Sequence, residues 1–144
     1  MNKTMQRPRS FWAVSGLGLV WNLFGLMSFW GWLFMSEVQL AEMTPEQVAL
    51  YEATPKWLLI FFGLAVVSGV IGSLLLVFRK KKAIPVLLIS FVAAFIHQAY
   101  GVFFTDAITV YGSTWGIVMP LFIISIAFFL WSYARFSSLK GWLS

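Results

Sequence analysis

The chain has 144 residues, of which 60% are hydrophobic and 10% charged, and its formal net charge is +5. This composition excludes a water-soluble globular domain and a disordered chain, and four apolar runs of about 20 residues each leave no room for a soluble domain. Without cysteine there is no disulfide exchange, thiolate catalysis or iron–sulfur ligation, and a single histidine rules out a multi-histidine zinc site or a bis-histidine haem within one chain.

The N-terminal segment carries Lys3, Arg7 and Arg9 ahead of the first apolar run. That run, 11–35, is too long for a signal h-region and no small-residue cleavage site follows it, so we read it as a retained span over about 10–35. The loop after it predicts a short amphipathic helix over about 45–53. Thr44 caps it, Pro45 takes the first helical position, Gln47 completes a capping box, and Met43 with Val48 forms a hydrophobic staple. Pro55 disfavours helical geometry at Thr54. Thr54-Pro55 is expected to repeat the cap-and-proline device at the start of the second span, about 55–78. The short helix is expected on the extracytoplasmic surface or as a lid.

Arg79, Lys80, Lys81 and Lys82 form a tight turn into the third span, about 83–104, with Pro85 in its harmless first turn. A second tight turn, 105–112, leads to the fourth span, about 113–134. Pro120 lies inside that span and is expected to kink it. The architecture predicted is one transmembrane domain, 1–144: an all-α, integral-membrane four-helix bundle.

The charges are sorted along this plan. Nine of ten basic residues flank one side of the spans, Lys56 being the exception. All five acids, Glu37, Glu42, Glu46, Glu52 and Asp106, lie on the other. The positive-inside rule then places both termini in the cytoplasm. It also explains the basic balance without nucleic acid. Trp12, Trp131 and Trp142 mark one interface and Trp30, Trp32, Trp57 and Trp115 the other, while Trp21 falls mid-span.

Small and polar residues recur at helical spacing. They are Ser15, Gly18, Asn22 and Gly25 in the first span; Ala65, Ser68, Gly69, Gly72 and Ser73 in the second; and Ser90, Ala94, His97 and Gly101 in the third. Such faces let helices approach closely in lipid. We read Gly18, Gly25, Ser68, Gly69, Gly72, Ser73 and Gly101 as helix-packing positions, the sharper alternative being a small-molecule path. Asn22, His97, Gln98 and Tyr100 form the candidate polar cluster. An intramembrane ionisable residue is a functional candidate by default. The plainer reading is a neutral His97 bonded to Asn22, Gln98 or a carbonyl.

No carboxylate is expected within the hydrocarbon, which argues against proton-coupled efflux of the small multidrug type. No phosphate loop, Ser/His/Asp set or metal cage is present, so no catalytic, cofactor-binding or metal-binding residue and no cofactor is assigned, and the chain is read as a non-enzyme.

Several segments resemble a group of small four-span bacterial inner-membrane proteins, many of which carry a "sugar transporter" label. They are Trp21-Asn22-Leu23-Phe24-Gly25, Thr44-Pro45-Glu46-Gln47 with 50–57, Arg79 to Val86, Gln98-Ala99-Tyr100 and Tyr111-Gly112. The resemblance spans nearly the whole chain and implies a bacterial inner membrane. It transfers no catalytic residue. The leading expectation is a non-enzymatic accessory or interaction subunit connected with transport. The alternative is a small oligomeric transporter or channel for a neutral solute such as a sugar. Expected partners are the bilayer and either further copies of the chain or a larger membrane protein. A water-filled cavity around His97 favours the second expectation; a dry, packed interior with one exposed small-residue face favours the first.

Overall fold

A computed structural model describes residues 6–144; Lys3, counted above with the basic flank, lies outside them. The described chain is helical, in the order α1 (Arg9–Leu33), α2 (Glu37–Ala41), α3 (Pro45–Ala53), α4 (Lys56–Val77), α5 (Ala83–Phe104), α6 (Ala107–Ser113), a π-helical turn (Thr114–Val118) and α7 (Met119–Leu139). Four of these stretches, α1, α4, α5 and the run Ala107–Leu139, are long and apolar enough to cross a membrane. The chain is a multi-pass membrane protein built as a helical bundle.

The four spans stand antiparallel in a ring. Close backbone approach joins α1 to α4, α4 to α5 and α5 to α7. The ring closes between α7 and α1 through side chains: Leu130 covers Gly18, the Phe11 and Tyr133 rings stack 6.4 Å apart, and Trp21 meets Phe122 edge-on. One end of the ring carries the Arg79–Lys82 turn, the other the Glu-bearing connection; they are called here the basic and acidic ends.

Small residues set the contacts. Gly72 lies under Leu87 and Gly25 under Val66, while Ala65, Ser68, Gly69 and Ser73 are buried along the same side of α4. The packing face read from the spacing is therefore the face α4 presents to its neighbours. Gly101 differs. A Cβ there would meet nothing within 4 Å, so this glycine marks no close approach.

The basic end is the tightest part. Phe11, Leu76, Ala83, Leu87, Leu130, Ala134 and Leu143 form its core, all nearly inaccessible. Two helices stop here with the same device. The Lys80 N–H donates to Leu75 and the Arg79 N–H to Leu76 at the end of α4; Trp142 and Gly141 do likewise to Ser137 and Ser138 at the end of α7. Each pair is a Schellman motif needing a left-handed residue, Gly141 (φ 71°) in one and, less comfortably, Arg79 (φ 61°) in the other. The segment after α7 folds back onto the turn. The Ser144 N–H donates to the Arg79 carbonyl (2.7 Å), the Lys81 N–H to the Ser144 carbonyl (3.0 Å), and Arg7 Nε to the Trp142 carbonyl (3.1 Å).

The acidic end departs further from expectation. The Thr44–Gln47 capping box of α3 forms as read, with Pro45 at its first turn. Ser36 and Gln39 build a second one for α2, a helix unforeseen although Ser36-Glu37-Val38-Gln39 carries the same signature. Thr54 does not cap α4. Its hydroxyl donates back to the Leu50 carbonyl, and Pro55 itself takes the cap position. The supposed turn 105–112 holds most of α6, whose helical geometry breaks at Gly112 with φ 79° and ψ 174°. Pro120 lies behind the π-helical turn, where the Met119 N–H reaches back to the Thr114 carbonyl. A widened turn thus takes up the ring that would crowd a regular helix.

Candidate functional site

Asn22 is held from below. Its Nδ2 donates to the Gly18 carbonyl (2.9 Å), one turn back in α1, and to Ser73 Oγ on α4 (3.0 Å). Because the Gly18 carbonyl can only accept, the amide is oriented with both hydrogens spent and Oδ1 left as an acceptor. The amide lies flat on Gly69, where a Cβ would collide with Oδ1 and sit 3.1 Å from Ser90 Oγ. Ser90, on α5, donates its own hydrogen to the Ala65 carbonyl (2.7 Å). Asn22, Ser73 and Ser90 thus form a polar girdle across three helices above the basic-end core.

Above that girdle the bundle is open inside. A cavity of about 370 Å³ lies between all four spans. From α1 it is lined by Trp21, Asn22, Phe24, Gly25 and Ser28, and from α4 by Phe62, Ala65 and Val66. From α5 come Ser90, Ala94, His97 and Gln98, and from α7 Met119, Ile123 and Ala127. Its size falls within the roughly 300–1,000 Å³ usual for small-molecule sites, and a wide apolar wall with few polar groups is their usual make-up.

The structure brings together three of the four cluster residues, Asn22, His97 and Gln98, as walls of one cavity. Tyr100 is excluded. Its ring meets Trp57 edge-on (5.2 Å) and stacks on Phe104 (5.5 Å), and it faces a separate hollow beneath α3 with Thr105 and Asp106. The expected bond between His97 and Asn22, Gln98 or a carbonyl is not made. His97 stacks on Phe62 with centroids 4.9 Å apart, and its Nδ1 is shut into the packing with no hydrogen-bond partner. Asn22 is taken by Ser73 instead, because α1 lies against α4, not against α5.

Ser28 extends the Ser15–Gly18–Asn22–Gly25 series by one more step of three, so that face could have been followed to the rim. Trp21, the one tryptophan outside both belts, is a wall residue. Phe62, Ile123 and Ala127 carry no signal in the sequence: they are apolar residues in apolar helices, and only packing tells an inward one from a lipid-facing one. No group of His, Asp or Glu able to hold a metal ion occurs among the described residues.

Compared with known proteins, the chain matches no protein-family model, no curated protein and no solved structure. Function is therefore read from the geometry of the cavity.

Proposed function

We propose that this chain is a non-enzymatic, membrane-embedded binding protein or carrier for a small neutral molecule held in the central cavity. We place it in a bacterial inner membrane with both termini cytoplasmic, as the charge sorting and the family resemblance imply. The observation that carries the reading is the cavity itself, walled by Asn22, His97 and Gln98. A helix bundle serving only as a partner's scaffold gains nothing from such a space, because an unfilled cavity costs packing contacts.

The wall also bears on the occupant. A monosaccharide brings several hydroxyls that must all find partners once dehydrated, each failure costing about 1–3 kcal/mol. Asn22, Ser28, Ser90, His97 and Gln98 are too few and too scattered for that. The lining suits a mostly apolar molecule with one polar end better than a sugar.

Native mass spectrometry in mild detergent tests the reading, with Ala94→Phe and Ala127→Leu as cavity-filling variants. A small molecule retained by the parent chain and lost from both variants is the expected result. A parent chain that carries no small molecule, and gains no thermal stability from any of a panel of neutral solutes, sinks the proposal.

A further inference from the structure

The cavity has a floor, a ceiling and one open side. The floor is the Asn22–Ser73–Ser90 girdle with the packed basic-end core behind it. The ceiling is aromatic. Phe62 bounds the cavity there and meets Phe29 edge-on (5.1 Å); one turn further along α5, outside the cavity, Tyr100 meets Trp57 edge-on and stacks on Phe104. Beyond them α3 is tied to α1 by the Trp32 and Tyr51 rings, 4.6 Å apart.

The open side lies between α1 and α7. Of the lining residues only Phe24 and Ser28 are exposed, Phe24 by 61%, and both belong to α1. This is also the one seam of the ring closed by side chains instead of close backbone approach. At mid-span the Trp21–Phe122 edge contact, with centroids 5.5 Å apart, bridges it. The opening is at the level of the membrane interior, and the surface around it, Leu23, Phe24, Met27, Leu121 and Phe122, is exposed and apolar. It faces lipid tails.

Resting on the binding reading above, we propose that the ligand is a lipid-soluble alcohol that enters sideways from the bilayer between α1 and α7, with its hydroxyl directed to the Asn22–Ser90 floor. The floor settles the polarity of that end. Of the girdle only Asn22 and Ser90 line the cavity, and both Asn22 amide hydrogens and the Ser90 hydroxyl hydrogen are already spent on Gly18, Ser73 and Ala65, so these two offer lone pairs only. A hydrogen-bond donor on the ligand is satisfied there, whereas an ether or ester oxygen is not. The Trp21 and Phe62 walls above it give apolar, aromatic surface to the rest of the molecule.

The test uses the full chain in lipid nanodiscs, with 4-octylphenol, its methyl ether 4-octylanisole, and glucose as probes. The phenol should bind, and the ether, larger by one methyl group and without the donor, should bind about tenfold more weakly. Entry is tested in the double variant Trp21→Cys with Phe122→Cys, possible because the chain has no other cysteine. After a short bifunctional maleimide joins the two positions, uptake of the phenol should become several-fold slower than in the same variant unjoined.

Equal affinity for phenol and ether overturns the assignment of the floor, and unchanged uptake after joining overturns the lateral entrance. Binding of glucose but not of the phenol overturns the ligand class while leaving the cavity reading intact. Binding of none of the three, with no effect of Ala94→Phe, removes both.

Discussion

His97 shows how far a residue's meaning depends on its neighbours. Read from the sequence, His97→Leu strands a hydrogen-bond partner and destabilises. In the folded chain Nδ1 has no partner to strand, and the imidazole makes an apolar stack with Phe62. We therefore expect His97→Leu to leave thermal stability in detergent unchanged or to raise it, since it removes a buried unsatisfied group worth about 1–3 kcal/mol. A clear loss of stability would mean that His97 has a partner after all. Arg79 offers a second residue-scale case. It holds a left-handed conformation that glycine adopts freely. Arg79→Gly should stabilise the chain by about 1 kcal/mol, relieving a side chain that costs about 1–2 kcal/mol there. Thermal unfolding in detergent measures it, and a lower midpoint would show that the guanidinium contributes more than the strain removes.

The helices differ in what their glycines do. A Cβ on Gly72 would come within 2.7 Å of the Leu87 side chain and 3.3 Å of its backbone nitrogen, and Leu87 is fully buried with nowhere to move. Gly72→Ala should therefore destabilise by about 1–3 kcal/mol. Gly101, at similar helical spacing in α5, has open space above it. Gly101→Ala should be neutral or stabilising by up to about 1 kcal/mol, the gain in helix propensity. Measured side by side, equal effects would show that α4 and α5 do not meet at Gly72. The stripe of small residues was legible in the sequence for both helices. Spacing says which residues share a face, but a neighbour must be present for that face to become a contact, and nothing lies within 4 Å of a Cβ at Gly101. The capping boxes of α2 and α3, by contrast, need no neighbour, which is why the Thr44–Gln47 box was legible to the residue.

At the scale of the molecule, charge and packing divide the two ends. The Arg79–Lys82 turn is the largest basic cluster in a short connection. Replacing all four with neutral residues should give mixed orientation, because Lys3, Arg7, Arg9, Arg135 and Lys140 alone provide a weaker bias. Cysteine-accessibility mapping with reporters near Ala49 and Ser144 reads this out. Retained single orientation would assign control to the N-terminal flank. The same turn anchors Ser144 through backbone bonds, so the basic end is closed by folding as well as marked by charge.

The sequence by itself determined the number of spans and their charge asymmetry, but not the ends of the last one, read as 113–134 where the apolar helical run is Ala107–Leu139. These are properties of local chemistry: apolar length against a bilayer, proline and capping residues at helix ends, and cations kept from crossing. It also named Asn22, His97 and Gln98 as the polar residues most out of place in lipid. Only the tertiary structure decided that these three surround one space, that Tyr100 does not, and that Asn22 bonds to Ser73. In a membrane nearly every residue of a span is apolar, so hydrophobic periodicity cannot tell the bundle interior from the lipid face. Which helix lies beside which, and where a gap is left between them, is settled by the fit of side chains such as Leu130 on Gly18 and Leu87 on Gly72. That information resides in pairs of residues far apart in the chain, and the cavity is what remains where those pairs stop meeting.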